Sequence, residues 1–276
     1  MAIVSFWSNR KEETSKTASI AAVATMTAID NNLKSLLIET NNNDSTMEEC
    51  FWSYSKIQSA IDEISKTKNV NVLESGIDAL VQLLGSNKLS PEIIPNYTKL
   101  VFKNRLEVLF GGLIKTEEEY KKVSASYKNV ITVANKQYDL VFVDLNKGLD
   151  EEVTKDVLKI SDVIVVNISQ NMRMIDDYIK FSMENPEIDS NKMILLIGRY
   201  DEQSKYNLKN IAKYVQVKQN IYAVPYNTLF FEAINEGNVP NFLLKYRKIS
   251  ESNDNYKFIQ DIRKISSAII TKAKLS

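Results

Sequence analysis

Residues Ala2 to Asn31 read AIVSFWSNRKEETSKTASIAAVATMTAIDN: an apolar run, a charged loop, then an alanine-rich helical pattern. Ala2 to Trp7 has the unbroken apolar character of a strand covered on both faces. Thr17 to Asn31 carries apolar residues at helical spacing. The connecting segment, Ser8-Asn9-Arg10-Lys11-Glu12-Glu13-Thr14-Ser15-Lys16-Thr17, leads from the carboxyl end of a strand to the amino end of a helix. Parallel α/β sheets bind their ligands at that place. A phosphate cradle there needs curled main-chain N–H groups, a lysine for the outer phosphates and a hydroxyl for magnesium. Lys16 and Thr17 have the right types, at the start of a helix whose N-terminus favours anions. The glycines that usually permit the curl are missing: the first glycine of the chain is Gly76, and Glu12, Glu13 and Ser15 stand where glycine belongs. A carboxylate beside a phosphate costs on the order of a few kcal/mol at an effective dielectric near 20. Arg10 and Lys11 offset part of that. On the residues alone the loop has two readings, a phosphate cradle or a charged, solvated cap on a helix.

Outward from this stretch the alternation continues. Ser35 to Glu39, Leu106 to Phe110, Tyr138 to Asp144, Val163 to Ile168, Met193 to Ile197 and Ile221 to Val224 read as further strands, and Asn69 to Glu74 as an extended piece. Helical patterns cover Met47 to Ile64, Gly76 to Leu84, Thr116 to Tyr127, Asp150 to Lys159, Met172 to Glu184, Lys205 to Tyr214 and Thr228 to Glu236. Near-continuous Val/Ile/Leu strands alternating with helices predict an α/β fold, a mostly parallel central sheet with helices on both faces. With no repeat and no Pro/Gly-rich linker, residues 1–276 are expected to form a single domain. A last helix, about Asn255 to Lys274, places Phe258, Ile259, Ile262, Ile265, Ile269 and Ile270 near one face and carries Arg263, Lys264, Lys272 and Lys274. It reads either as an amphipathic helix packed on the sheet or as a membrane-surface or partner helix.

Composition narrows the chemistry. The chain has no histidine, which removes imidazole acid/base catalysis, Ser-His-Asp and Cys-His nucleophiles and His-based zinc sites. Its one cysteine, Cys50, cannot form an intrachain disulfide and reads as a small buried apolar residue, in keeping with a cytoplasmic setting. Lysine plus arginine equal aspartate plus glutamate at 35 each, so no global charge draws the chain to nucleic acid or an anionic membrane. Lys205, Lys209 and Lys213 recur at helical spacing and Lys218 follows, either as a solvated face or as a DNA-contacting patch. No apolar run approaches the ~18 residues of a membrane span.

Taken in order, several segments resemble the MinD/ParA class of P-loop ATPases. KEETSKT (Lys11 to Thr17) is similar to the deviant Walker A motif of that class; LLIETNNND and YDLVFVDLNKGLD resemble its second strand and its Walker B strand and switch. SDVIVVNIS, ILLIGRYD and AVPYNTLFFEAINEGNVP resemble its later strands and ending. FWS near the start and NYTKLVFKNRLEVLFGG (Asn96 to Gly112) look most like TadZ/CpaE-like members associated with pilus or secretion clusters.

The resemblance implies a homodimer binding ATP and magnesium between Lys11, Glu12, Glu13, Thr14, Ser15, Lys16 and Thr17, with Thr17 and Asp144 on the metal side and Pro225 and Tyr226 near the base. Lys11 would be the signature lysine that reaches across the dimer. Asn41 stands where the class has the carboxylate that organises the attacking water, and an amide is a poor proton acceptor. Gly198 aligns with the adenine-reading asparagine, and Gly148 with the switch glycine. These departures predict weak or no hydrolysis. The expected role is a positioning or assembly factor for a pilus, secretion or conjugation apparatus, cytoplasmic and recruited to the membrane by a partner. A slow ATPase switch and a DNA-binding partition protein are the competing roles.

Overall fold

Strands form where Val, Ile, Leu and Phe cluster, and helices where apolar residues return every three or four positions. The structure is a computed structural model that describes residues 1–10, 14–42, 46–53, 76–112, 114, 116–146, 151–216 and 220–275. In chain order the elements are β1 (Ala2–Trp7), α1 (Lys16–Asp30), β2 (Ser35–Glu39), α2 (Thr46–Phe51), α3 (Ile77–Gly85), a 3-10 helix (Pro91–Tyr97), β3 (Lys99–Phe102), β4 (Leu106–Leu109) and α4 (Glu117–Ala134). Then follow β5 (Leu140–Asp144), α5 (Glu151–Ile160), β6 (Val163–Ile168), α6 (Met172–Glu184), a short 3-10 turn (Ser190–Lys192), β7 (Met193–Tyr200), α7 (Leu208–Tyr214), β8 (Ile221–Pro225), α8 (Thr228–Asn235), α9 (Val239–Tyr246) and α10 (Tyr256–Lys272).

The strands join one eight-stranded sheet in the order β3-β4-β2-β5-β1-β6-β7-β8. Every pairing is parallel except β3 with β4. β1 is central, paired with β5 on one side and β6 on the other. The chain leaves β1 toward β2 in one direction and reaches β6 in the other, so the carboxyl end of β1 is the switch point of the sheet. All six residues of β1 and all five of β5 are buried. Helices on both faces remove the alternation that a half-exposed strand would show.

Two apolar cores result. Ile3, Trp7, Val141 and Val143 meet α3, α4, α5, α6 and α7. Val4, Phe6, Leu140 and Phe142 meet α1, α2, α8, α9 and α10. The helix α1 is buried from Ser19 to Ala28 because it lies between the sheet and α10, and its run of alanines admits that close approach. The threonine Thr27 bonds the carbonyl of Val23 at 2.8 Å and pairs with the Ser266 hydroxyl of α10 at 2.7 Å.

Of the two readings of the last helix, packing holds: Phe258, Ile259, Ile262, Ile265 and Ile269 are buried in the second core. Their face is not open to a membrane. No helix among the described residues is long and apolar enough to cross a membrane.

Several expectations need correcting. The helix expected over Met47 to Ile64 ends at Phe51, with Trp52 and Ser53 outside it; from residue 54 the expectation lies outside the described residues, as does the extended piece at Asn69 to Glu74. The helix that starts at Thr116 runs on to Ala134, set by a capping box between Thr116 and Glu119. The lysine Lys205 precedes α7 rather than lying on it, and Lys218 is outside the described residues. The edge strand β3 and the helix α9 were not expected: β3 is four residues long, and α9 begins with Pro240 in its first turn, which reads as a breaker until its place is known.

Phe142 is fully buried between sheet and helices, with its ring 6.4 Å from that of Phe6. Phe142→Ala is expected to lower the unfolding free energy by about 3–5 kcal/mol, read from urea denaturation. A loss below about 1 kcal/mol would mean that this core collapses onto the cavity instead of keeping it.

Candidate functional site

The site gathers at the carboxyl ends of β1, β2 and β5. The helix α1 opens one residue earlier than the spacing suggests, at Lys16, with Ser15 as its N-cap. Ser15 has φ 51, the left-handed conformation that glycine usually supplies. One of the curls that glycine serves is therefore made by serine. The Ser15 side chain caps nothing, and Thr14 is buried. Lys11, Glu12 and Glu13 lie outside the described residues, as do Lys147 and Gly148.

Lys16 and Thr17 both turn toward β5. The Lys16 ammonium forms an ion pair with Asp144 and donates to the carbonyl of Leu145 at 2.6 Å. The Thr17 hydroxyl donates to the other Asp144 oxygen at 2.9 Å. The lysine and aspartate side chains are only 11% and 5% exposed, so water screens the pair poorly. Asp144 is flanked in register by Phe6 on β1 and Glu39 on β2. The buried Glu39 adds a second carboxylate to this edge. Cys50 lies close enough to feel both: burial first, then the charges of Glu39, Asp144 and Glu49, push its thiol up. It is buried and acts as an apolar residue, as expected.

Beyond β2 and β5 the two strand ends are tied together. Thr40 donates its hydroxyl to the Asp144 carbonyl at 2.9 Å and accepts from the Asn146 amide at 2.9 Å. Asn146 donates its side-chain amide to the Asn41 oxygen at 2.5 Å. The next residue, Asn42, accepts from the Tyr127 hydroxyl and the Gly112 amide, each at 3.0 Å. Asn41, just past the end of β2, is half of an amide–amide contact. A single threonine after a strand carries no spacing signal, so Thr40 was invisible in the sequence.

The loop also rests on β7. A side chain at Gly198 would place its Cβ 2.1 Å from the Thr14 carbonyl oxygen, so only glycine lets the loop lie there. The register between β7 and β8 shifts between Ile197 and Tyr200, and Arg199 in that bulge has φ 49. Pro225 ends β8, and Tyr226 follows, 56% exposed as a residue. Tyr226 stacks on Phe231 at 5.3 Å, and the Arg199 guanidinium lies 5.2 Å from the centre of the same ring. Arg199 and Phe231 lie in segments that resemble the class, but neither has a role legible in the sequence, and the close packing of two strand ends brings them together. Deeper in the sheet, Asn167 faces the α1 side in register with Leu196; both polar atoms of its side chain are buried without a partner among the described residues.

A cavity of about 640 Å³ near the start of the loop does not include Asp144 in its lining. It lies between α5 and α6, beside Trp7, Asn9 and Arg10. Arg10 pairs there with Asp177 of α6 at 2.9 Å, which anchors the start of the loop. The space over Asp144 is taken by the loop's own lysine.

No protein-family model matches the chain, and no curated protein sequence matches it. Solved structures do. A ParA family ATPase from Chlorobium tepidum TLS superposes with a TM-score of 0.71 at 13% identity, covering 96% of this chain and 98% of the other. The chain has the MinD/ParA ATPase fold. The septum site-determining protein MinD of Pyrococcus horikoshii OT3, complexed with Mg-ADP, gives 0.65 at 15% identity and covers 99% and 98% of the two chains. A plasmid partition protein of Borrelia burgdorferi B31, bound to AMPPNP, gives 0.61 at 17%, covering 97% and 98%. The α/β class and the mostly parallel sheet with helices on both faces are as expected.

A buried ion pair broken on one side leaves an uncompensated charge, at a cost of about 3–5 kcal/mol. Lys16→Ala is expected to cost that much in unfolding free energy, and Lys16→Ala with Asp144→Ala clearly less than the two single losses summed. Chemical denaturation of the three variants forms the cycle. Additive losses would show that Lys16 and Asp144 do not interact.

Proposed function

We propose that this chain binds ATP with magnesium at the β1–α1 loop and works as a positioning or assembly factor with weak or no ATP hydrolysis. One observation carries the reading: Lys16 and Thr17, from the loop, converge on Asp144 at the switch point of the sheet. A nucleotide would draw the Lys16 ammonium from Asp144 onto its outer phosphates. It would also meet the main-chain amides that open the fifteen-residue helix α1. Magnesium, a hard cation that takes oxygen ligands, suits the Thr17 hydroxyl and the Asp144 carboxylate. When bound it would neutralise phosphate charge.

Weak hydrolysis rests on Asn41. Phosphoryl transfer depends on a positioned water and stabilised charge. Here a neutral amide, already bonded to Asn146, faces the site where a carboxylate would organise that water. The bound AMPPNP and Mg-ADP of the Borrelia and Pyrococcus proteins support the choice of nucleotide and metal. Dimerisation through Lys11, a single domain over 1–276, and service to a pilus, secretion or conjugation apparatus complete the proposal. The dimer contact rests on the resemblance to the MinD/ParA class, the single domain on the lack of a repeat or a Pro/Gly-rich linker in the sequence, and the apparatus on the resemblance to TadZ/CpaE-like members. An active, slow ATPase switch is the second reading, favoured by the intact grouping of Lys16, Thr17 and Asp144.

Calorimetric titration with ATP and magnesium is expected to give heat for the unaltered chain and none for a folded Lys16→Ala. Phosphate release is expected to run at least about tenfold slower than that of an intact MinD in the same assay, the loss of about 1.4 kcal/mol of transition-state stabilisation. Turnover matching that MinD would overturn the weak-hydrolysis reading. No heat from the unaltered chain would remove nucleotide binding altogether.

A further inference from the structure

We infer that the site holds a nucleoside by stacking alone, on Tyr226, Phe231 and Arg199, and does not discriminate among nucleobases. The inference rests on the nucleotide reading of the β1–α1 loop. The contact between Thr14 and Gly198 brings that loop against the end of β7, so a nucleoside leaving the cradle passes over the ends of β7 and β8. The platform stands at those ends. Tyr226 is more than half exposed and already stacked on Phe231, and the β7 bulge holds the Arg199 guanidinium over the same ring. Aromatic and guanidinium planes accept any base, because every base has a π-face.

Discrimination needs polar groups held against a base edge, and Gln170, Asn227 and the Tyr226 main chain, which flank these strand ends, each have bonds elsewhere, while the Arg199 guanidinium lies over a ring. Gly198 has no side chain, and the approach of Thr14 prevents one. The side-chain amide of Gln170 donates to the carbonyls of Asp201 and Tyr206, and its oxygen accepts from the Asp201 amide. The Asn227 oxygen caps α8 through the Phe230 amide, and its NH₂ donates to Asn255. The Tyr226 main-chain amide is bonded to the Tyr200 carbonyl. Asn167 keeps an uncommitted amide but is sealed from solvent, level with Leu196 and two residues below Gly198. A site built to read a base edge rejects the wrong base by leaving buried groups unpaired; a flat platform has no such penalty to impose.

The test is competition against a fluorescent ATP analogue, with magnesium, using ATP, GTP and inorganic tripolyphosphate as competitors. ATP and GTP are expected to compete within about threefold of each other. Tyr226→Ala is expected to weaken both about tenfold, within the range for loss of one base-stacking ring. Tyr226→Phe keeps the π-face and is expected to bind as the unaltered chain does. Tripolyphosphate is expected to compete equally against all three. A preference for either base above about thirtyfold overturns the inference, as does a Tyr226→Ala variant that binds ATP unchanged. In both cases the cradle reading survives. If the analogue does not bind the unaltered chain at all, the cradle reading fails and takes this inference with it.

Discussion

The buried carboxylate of Asp144 is what the working end of this molecule is assembled around. It sits on β5 beside the central strand, where a bare charge would cost several kcal/mol. Two groups from the opening turn of α1 relieve that cost: the Lys16 ammonium and the Thr17 hydroxyl. Satisfying one charge thus fixes the register of α1 against the sheet and aims its first amides at the strand edge. The same residues suit a phosphate and a metal.

The tie between β2 and β5 gives the site a second character. Thr40, Asn41 and Asn146 join two strand ends through neutral hydrogen bonds, and Asn42 extends the join to Tyr127 and Gly112. The tie runs beside the carboxylates of Glu39 and Asp144, which stand in register on the same two strands, so charge and neutral hydrogen bonds share this edge.

The frame of the fold was legible because burial on both faces leaves long apolar runs that only a covered parallel strand explains, as in Leu140 to Asp144. Lys16, Thr17 and Asp144 were singled out in the sequence by their residue types and by the resemblance, and the structure brings the three together. What stayed hidden was set by contacts between distant segments. The left-handed turn at Ser15 is held by its surroundings and contradicts the propensity of the residue. The need for glycine at 198 arises from Thr14, and the grouping of Arg199, Tyr226 and Phe231 from a bulge and the register of two strands. The helix at Val239 was masked by Pro240, a residue that breaks helices everywhere except in their first turn.

The seam between α1 and α10 has a consequence for how the chain is made. Thr27 and Ser266 touch across 239 positions, and the apolar flank of α1 stays uncovered until the helix that seals it has been synthesised. Most of the strands exist as polypeptide well before that moment. Partners of such large sequence separation meet late, and a nascent chain with an open greasy seam is prone to clump. A ribosome making this protein carries an unfinished hydrophobic joint for most of the translation time.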